Sequence, residues 1–147
     1  MDNDKNQILR ATGLLVIEAI NSNPNGDPDR ESDPRQRPDG LGEISPVSFK
    51  RKLRDLVEDK QGPVWTELKS RLGLNDDEFH VLESRGRDRG KIKEELKDEA
   101  KVFKNKYWDA RVFGNTFLEE NASTSIKTGV VQFGMGLSVA PVTIERH

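Results

Sequence analysis

The sequence of 147 residues contains no cysteine and only two histidines, His80 and His147. The absence of cysteine excludes a disulfide framework and thiolate metal sites, and it points to a reducing compartment. The two histidines do not have the spacing of a pair of metal ligands. The sequence therefore predicts no metal site and no cofactor.

Long apolar runs are also missing. No stretch approaches the roughly 18 apolar residues that a membrane-spanning helix needs, and the acidic, polar N-terminus does not resemble a secretory signal. We expect a soluble, cytoplasmic protein that makes no contact with a membrane. Apolar residues make up 33% of the chain, which predicts one domain with a small core. The net charge of -2 gives no global argument for nucleic acid, so any such binding depends on local clusters.

The most informative stretch joins a turn-rich loop to a basic helix. Residues 23–29 read Asn-Pro-Asn-Gly-Asp-Pro-Asp, a composition that rejects both helix and strand and predicts a surface loop. Further breakers extend this loop to about residue 41, which is long for a compact domain. Ser45 and Pro46 then predict the start of a helix that runs to about Glu58. Apolar residues follow one side of this helix, and Lys50 and Arg54 lie one turn apart beside that side.

Two apolar runs predict strands. Residues 14–17 are apolar on both faces, which is typical of a central, buried strand. Residues 130–137 alternate glycines with larger side chains and predict a second strand, ended by Pro141. Between these runs lies a charged, helical insertion over about residues 60–107. It contains predicted helices at 64–72, at 76–84 with Asn75 as cap, and at 91–108.

Four motifs, in order, give a resemblance to a known family. They are the strand leading into the residue 23–29 loop, the Ser-x-x-x-x-Lys-Arg-x-x-Arg helix from Ser45, the Asp-x-Arg-x-Phe-Gly motif at Asp109, and the Gly-x-Val-Gln-Phe motif from Gly129 followed by Ser-x-x-Pro. The chain thereby resembles the backbone subunit of type I CRISPR Cascade complexes, nearest subtypes C and B. Members of that family have chains about twice this length. The resemblance therefore implies that the sequence corresponds to the N-terminal part of the family fold.

The resemblance implies a fold, a function and partners. The implied fold is α/β (α+β): an elaborated, ferredoxin-like RNA-recognition-motif sheet with helices, in one domain that is incomplete here. The implied function is to hold the backbone of a CRISPR guide RNA, without catalysis, during recognition of target DNA. Its partners would be the guide RNA, further copies of the chain and other Cascade subunits. The candidate RNA-binding residues are Asn23, Asn25, Gly26, Lys50, Arg51, Arg54 and Arg111.

An alternative function uses the loop carboxylates. Asp27, Asp29 or Asp33 could support metal-dependent cleavage of RNA, as a loop aspartate does in the related type III backbone subunits. No histidine or lysine that could serve as a general base lies nearby in the sequence, so we expect no catalytic residue. These aspartates are instead expected to cap turns through Asx-type hydrogen bonds. A third hypothesis is a helical module that binds only protein.

Several candidate residues also have structural interpretations. Arg51 could pair with Asp55 and Arg54 with Glu58 on a solvated helix face. Asp109 and Arg111 cannot face each other on a helix, so each needs its own partner, and a buried Arg111 could fix its helix to the sheet. Arginines of a glycine-interrupted linker could follow a phosphate backbone or simply be exposed to solvent: Arg85, Arg87 and Arg89. Three aromatic residues could stack on bases, but their helical context favours packing in the core: Tyr107, Trp108 and Phe113.

Overall fold

The computed structural model describes residues 9–88, 90–92, 94, 104–114 and 128–145. Within them, three helices and a two-stranded antiparallel sheet can be bounded: β1 (Leu41–Ile44), α1 (Pro46–Glu58), α2 (Pro63–Leu72), α3 (Trp108–Phe113) and β2 (Gly136–Pro141). This confirms the predicted mixed α/β class. No helix of the described part is long and apolar enough to cross a membrane.

Helix α1 begins and ends where the sequence predicts. The Ser45 hydroxyl accepts a hydrogen bond from the Ser48 amide at 3.1 Å, and Pro46 occupies the first turn, where its missing N–H costs nothing. Helix α2 begins at Pro63 and ends at Leu72, and it is capped by Gly73, whose φ of 64° is the left-handed conformation that favours glycine. Local signals at the two ends therefore determine the bounds of both helices.

The helical predictions further along the chain need correction. Asn75 does cap a helical turn, but that turn is a 3-10 helix limited to Asp76–Glu78 and not a helix that continues to residue 84. The predicted helix 91–108 is interrupted at Tyr107, which forms an isolated parallel bridge with His80. Residues 93, 95–103 and 89 lie outside the described residues. The bridge replaces the helical hydrogen bonds there: His80 N–H donates to the Lys106 carbonyl, and Trp108 N–H donates to the His80 carbonyl.

The prediction of a central strand at residues 14–17 is wrong. Residues 14–17 have no regular structure, and Leu14 is 92% exposed. A strand requires a neighbour that pairs with its backbone N–H and C=O groups. No bridge in the described part of the chain involves residues 9–20. The apolar pattern therefore predicts a buried strand, and the described residues supply no partner for it.

The second strand exists but lies further along the chain than predicted. Strand β2 spans Gly136–Pro141, and it pairs with β1 through Ile44 opposite Gly136 and Leu41 opposite Pro141. The preceding residues instead cross the end of α3, where the Val131 amide donates to the Val112 carbonyl at 2.8 Å. Gly129 is buried at this crossing, and a Cβ there would come within 2.3 Å of the Val112 carbonyl oxygen. Only glycine permits this approach.

The core of the described residues lies between the helical segments. Its buried residues include Trp65, Leu82, Ile92, Tyr107 and Ala110. The last four form one cluster, which packs the loop after α2 against α3 and the residues before it. The described core is therefore a helical one and does not involve the two-stranded sheet.

Candidate nucleic-acid interface

The loop at residues 23–29 is ordered by its own asparagines. The Asn23 Nδ2 donates to the Ser32 backbone carbonyl at 2.7 Å, and the Asn23 Oδ1 accepts from the Asn25 backbone N–H at 3.2 Å. Gly26 is exposed and forms an isolated antiparallel bridge with Pro34. A Cβ on Gly26 would lie 3.1 Å from the Ser32 carbonyl oxygen, so this narrow loop favours glycine.

Asn25 fastens the loop to α1. Its side chain is 8% exposed; its Oδ1 accepts from the Ser45 amide at 2.8 Å, and its Nδ2 donates to the Gly26 carbonyl at 3.1 Å. Ser45 is the N-cap of α1. The loop and the basic helix, which the sequence places one after the other, are therefore held together as one surface. RNA contact by Asn23, Asn25 and Gly26 stays a prediction, and both asparagine side chains already have internal partners.

Of the three loop aspartates, Asp27 takes the capping role that we expected, and for Asp29 and Asp33 this role stays a prediction. Asp27 Oδ1 accepts from the Asp29 amide at 3.1 Å and precedes the 3-10 turn Pro28–Arg30. This is an Asx-type turn. Across the described ranges, no group of three or more histidine, cysteine, aspartate or glutamate side chains is placed to hold a metal ion.

The cations of α1 differ from one another more than the sequence indicates. The Lys50 Nζ lies over the Phe113 ring, 5.4 Å from its centroid. Arg51 lies 3.8 Å from Asp55, the pair that we predicted, and Arg51 Nη1 makes no hydrogen bond within the described residues. Arg54 does not project from the edge of the packed layer, and it does not pair with Glu58. Its Nε instead donates to Asp109 Oδ2 at 2.8 Å, and its side chain is 11% exposed.

Asp109 is the buried partner that the sequence did not reveal. Its side chain is 1% exposed and accepts hydrogen bonds from Arg54 Nε, from the Leu82 amide at 2.7 Å and from the Glu83 amide at 3.1 Å. The carboxylate thus joins α1, α3 and the loop before residue 84. Asp109 and Arg111 thus have separate partners, as predicted, and the partners of Asp109 are distant in the sequence.

Arg111 has a structural role in the described part of the chain. Its guanidinium donates to the backbone carbonyls of Glu78 and Lys104 at 2.7 Å, and also to that of Asn105. It also lies over the Phe79 ring, 5.7 Å from its centroid. Burial lowers the pKa of Arg111 from its ordinary value. These contacts support the structural reading, but they fix α3 to the segment around Glu78 and not to the sheet. RNA contact by Arg111 remains untested.

Two of the three linker arginines form ion pairs within the described residues. Arg85 donates to Asp55 Oδ2 at 3.1 Å, so Asp55 lies between Arg51 of α1 and Arg85 of the linker. Arg87 pairs with Glu83, and Arg89 lies outside the described residues. Arg85 has a side chain that is 75% exposed. An exposed pair of this kind contributes little to stability and exchanges readily for other anions.

The aromatic residues of α3 pack internally. Tyr107 and Phe113 are buried, and the Trp108 and Phe113 rings meet edge to face with centroids 5.4 Å apart. The Phe133 ring lies 6.1 Å from Phe113 and 4.9 Å from Phe49 of α1. This confirms the core-packing interpretation for Tyr107 and Phe113 and leaves Trp108 half-buried.

A cleft of about 400 Å³ lies beside the buried cluster that contains Ile92 and Tyr107. Its lining includes Lys60, His80, Lys106 and Tyr107. The Lys60 ammonium donates to the Phe79 carbonyl at 2.9 Å and lies 3.5 Å from the centroid of the Trp65 ring. Burial lowers the pKa of Lys60 below 10.5, although the nearby Asp76 opposes this shift. No sequence pattern singled out this lysine.

Comparison with known proteins agrees with the resemblance. Residues 9–147 match the family described as CRISPR-associated protein Cas7. A protein of Haloferax volcanii named CRISPR-associated protein Cas7 is 34% identical over 110 residues, which cover 73% of this chain and 32% of that protein. The match thus spans about a third of the length of this curated relative.

Proposed function

Because this chain belongs to the Cas7 family of CRISPR-associated proteins, we propose that it holds the backbone of a CRISPR guide RNA. In this proposal the chain is a non-catalytic subunit of a type I Cascade effector complex. It acts beside further copies of itself and other Cascade subunits, and it takes part in recognition of target DNA indirectly, through the guide.

One observation carries the proposal beyond family membership: the hydrogen bond from the Ser45 amide to Asn25 Oδ1. It joins the polar loop to the start of the helix that carries Lys50, Arg51 and Lys52. Lys50 lies about 7.5 Å along the helix axis from Ser45, at a rise of about 1.5 Å per residue. A cationic helix beside a loop with exposed backbone is the kind of surface that holds phosphates without reading bases.

The charge distribution supports binding to a single strand. Arg51 and Arg85 share the single carboxylate of Asp55, so two positive charges face one negative charge. Little free energy is lost when a phosphate replaces Asp55 as the partner of these arginines, because exposed ion pairs are weak. Binding of this kind releases counterions and depends strongly on salt.

The test is photochemical cross-linking in the assembled effector complex. A guide RNA that contains 4-thiouridine is cross-linked in the intact complex, and the attached peptides of this chain are mapped by mass spectrometry. We expect cross-links within residues 23–29 and 45–58. Cross-links that avoid both segments, or none at all while other subunits are labelled, would contradict the proposal.

The non-catalytic part of the proposal is tested separately. Asp27 already accepts the Asp29 amide, and this supports a role in ordering the loop. In a Mg²⁺-dependent assay with RNA paired to the guide, we expect no regularly spaced cleavage. Such cleavage, abolished by Asp27→Asn or Asp29→Asn, would instead favour a metal-dependent ribonuclease.

A further inference from the structure

Two cationic side chains of α1 lie against the Phe113 ring of α3. The Lys50 Nζ lies 5.4 Å from the ring centroid, and the Arg54 Cζ lies 5.2 Å from it. Both distances are within the range of a cation–π contact. The ring is 8% exposed, so it is itself fixed by packing. One buried ring thus restricts the conformations of two side chains that lie one helical turn apart.

The two cations have different second partners. Arg54 is held by the buried carboxylate of Asp109, which also binds the Leu82 and Glu83 amides. Within the described ranges, no carboxylate pairs with Lys50. The Arg54 side chain is 11% exposed and its Nε is taken by this buried carboxylate, so little of the guanidinium is accessible to an incoming phosphate. An ammonium that has only an aromatic face beside it retains its donors for one.

We infer that Phe113 and Asp109 are positioning residues for Lys50, and that Lys50, not Arg54, is the direct phosphate ligand at this edge of α1. Asp109 holds the Arg54 guanidinium in place, and Arg54 in turn contacts the Phe113 ring. The part of the ring that Arg54 does not cover orients the Lys50 ammonium. A flexible lysine loses less conformational freedom on binding when its approach is already restricted. This inference rests on the proposed function, because it assumes that the partner is an RNA phosphate.

The first test compares two isosteric charge removals by their salt dependence. The whole chain is titrated with labelled single-stranded RNA of mixed sequence at several salt concentrations. Lys50→Met removes a phosphate contact, so the slope of log K against log salt becomes shallower by about 0.7. Arg54→Met disturbs the positioning and removes no phosphate contact, so affinity falls while the slope stays that of the unaltered chain. A slope that changes with Arg54→Met and not with Lys50→Met would overturn the assignment.

The second test removes the aromatic ring and leaves an apolar side chain in its place. Phe113→Leu leaves Arg54 paired with Asp109, and we expect RNA affinity to fall about two- to fivefold, the value of one exposed cation–π contact. In the Lys50→Met background the same change is expected to have no further effect on affinity, since the ring acts through Lys50. An equal loss in both backgrounds would show that Phe113 acts independently of Lys50, and it would overturn the inference.

Phe79→Leu is the matched control. The Phe79 ring also packs against a tryptophan and lies beneath an arginine, but these are Trp65 and Arg111, away from Lys50. We expect this change to affect thermal unfolding about as much as Phe113→Leu and to leave RNA affinity unchanged. If Arg54→Met does not fold, as judged by circular dichroism, the Phe113→Leu pair still decides the question. If the unaltered chain shows no salt-dependent RNA binding, the proposed function fails, and the positioning inference fails with it for that distinct reason.

Discussion

Two regions of the chain have similarly strong apolar patterns and opposite outcomes. In the junction of α1 with α3, Phe113 is buried, and Val57 is buried elsewhere on α1. In the run at residues 14–17, Leu14 and Val16 are 92% and 80% exposed. The junction is built from helices, whose backbone groups are satisfied within the element, whereas a strand needs a neighbour supplied by another segment. An apolar pattern therefore ensures burial only where a partner for its backbone is present.

The largest expected effect is at the centre of the junction. Asp109→Ala removes the acceptor of the Leu82 and Glu83 amides and leaves the buried Arg54 charge unpaired. We expect the free energy of unfolding to fall by about 3 to 5 kcal/mol, measured by urea denaturation. Asp77→Ala is the control: Asp77 is exposed, and the change there is expected to stay within about 0.5 kcal/mol. Equal effects of the two substitutions would show that the junction does not depend on the Asp109 carboxylate.

A matched pair of valines compares the two regions directly. Val57→Asp places a charge at a buried position of α1, and we expect a loss of about 3 kcal/mol or more. Val16→Asp changes an exposed side chain, so the free energy of unfolding stays within about 0.5 kcal/mol. Light scattering is expected to show less association for Val16→Asp, because it interrupts an exposed apolar run. A large loss of stability with Val16→Asp would show that residues 14–17 are packed in solution.

The link between the loop and α1 gives an intermediate effect. Asn25→Ala leaves the Ser45 amide without its side-chain acceptor in a part-buried position. We expect a loss of about 1 to 3 kcal/mol, measured by thermal unfolding. Asn75→Ala serves as a comparison, because Asn75 caps the exposed 3-10 turn at the amide of Asp77; the expected loss there is about 1 kcal/mol or less. If Asn75→Ala costs more than Asn25→Ala, the loop is not fastened through Asn25.

The sequence allowed good prediction wherever the determining signals were local. Ser45, Pro46 and Glu58 bound α1 as expected, and Asp27 forms the turn that its position indicates. The contact of Arg54 with Asp109 joins residues 55 positions apart, and periodicity carries no information about such pairs. The same reason explains the failure at Tyr107, where a bridge to His80 overrides a helical pattern. Residues 130–137 were misplaced because the crossing of Gly129 over α3 is also a long-range contact.

The smallest expected effect is the titration of Asp76, in the 3-10 turn that follows α2. The hydrogen bond from Lys69 is the main cause that lowers the pKa of Asp76 below 3.8, and a hydrogen bond from Trp65 adds to it. Because the folded pKa is lower than the unfolded one, this contribution is present above pH 3.8 and is lost as pH falls through the folded pKa. Carboxyl NMR titration is expected to show the midpoint of Asp76 below 3.8. In Lys69→Met the midpoint is expected to rise towards 3.8; an unchanged midpoint would contradict the assigned cause.

The central claim is that the α1 surface holds the backbone of a single RNA strand, and the salt dependence of binding tests it most directly. If Lys50, Arg51 and one linker arginine neutralise about three phosphates, a plot of log K against log salt has a slope of about -2. The measurement is a fluorescence titration of the whole chain with RNA across salt concentrations, repeated for Lys50→Met with Arg51→Met. The account predicts about -2 for the unaltered chain and about -0.7 for the double variant. A slope near zero, or a slope that the double variant leaves unchanged, would contradict it.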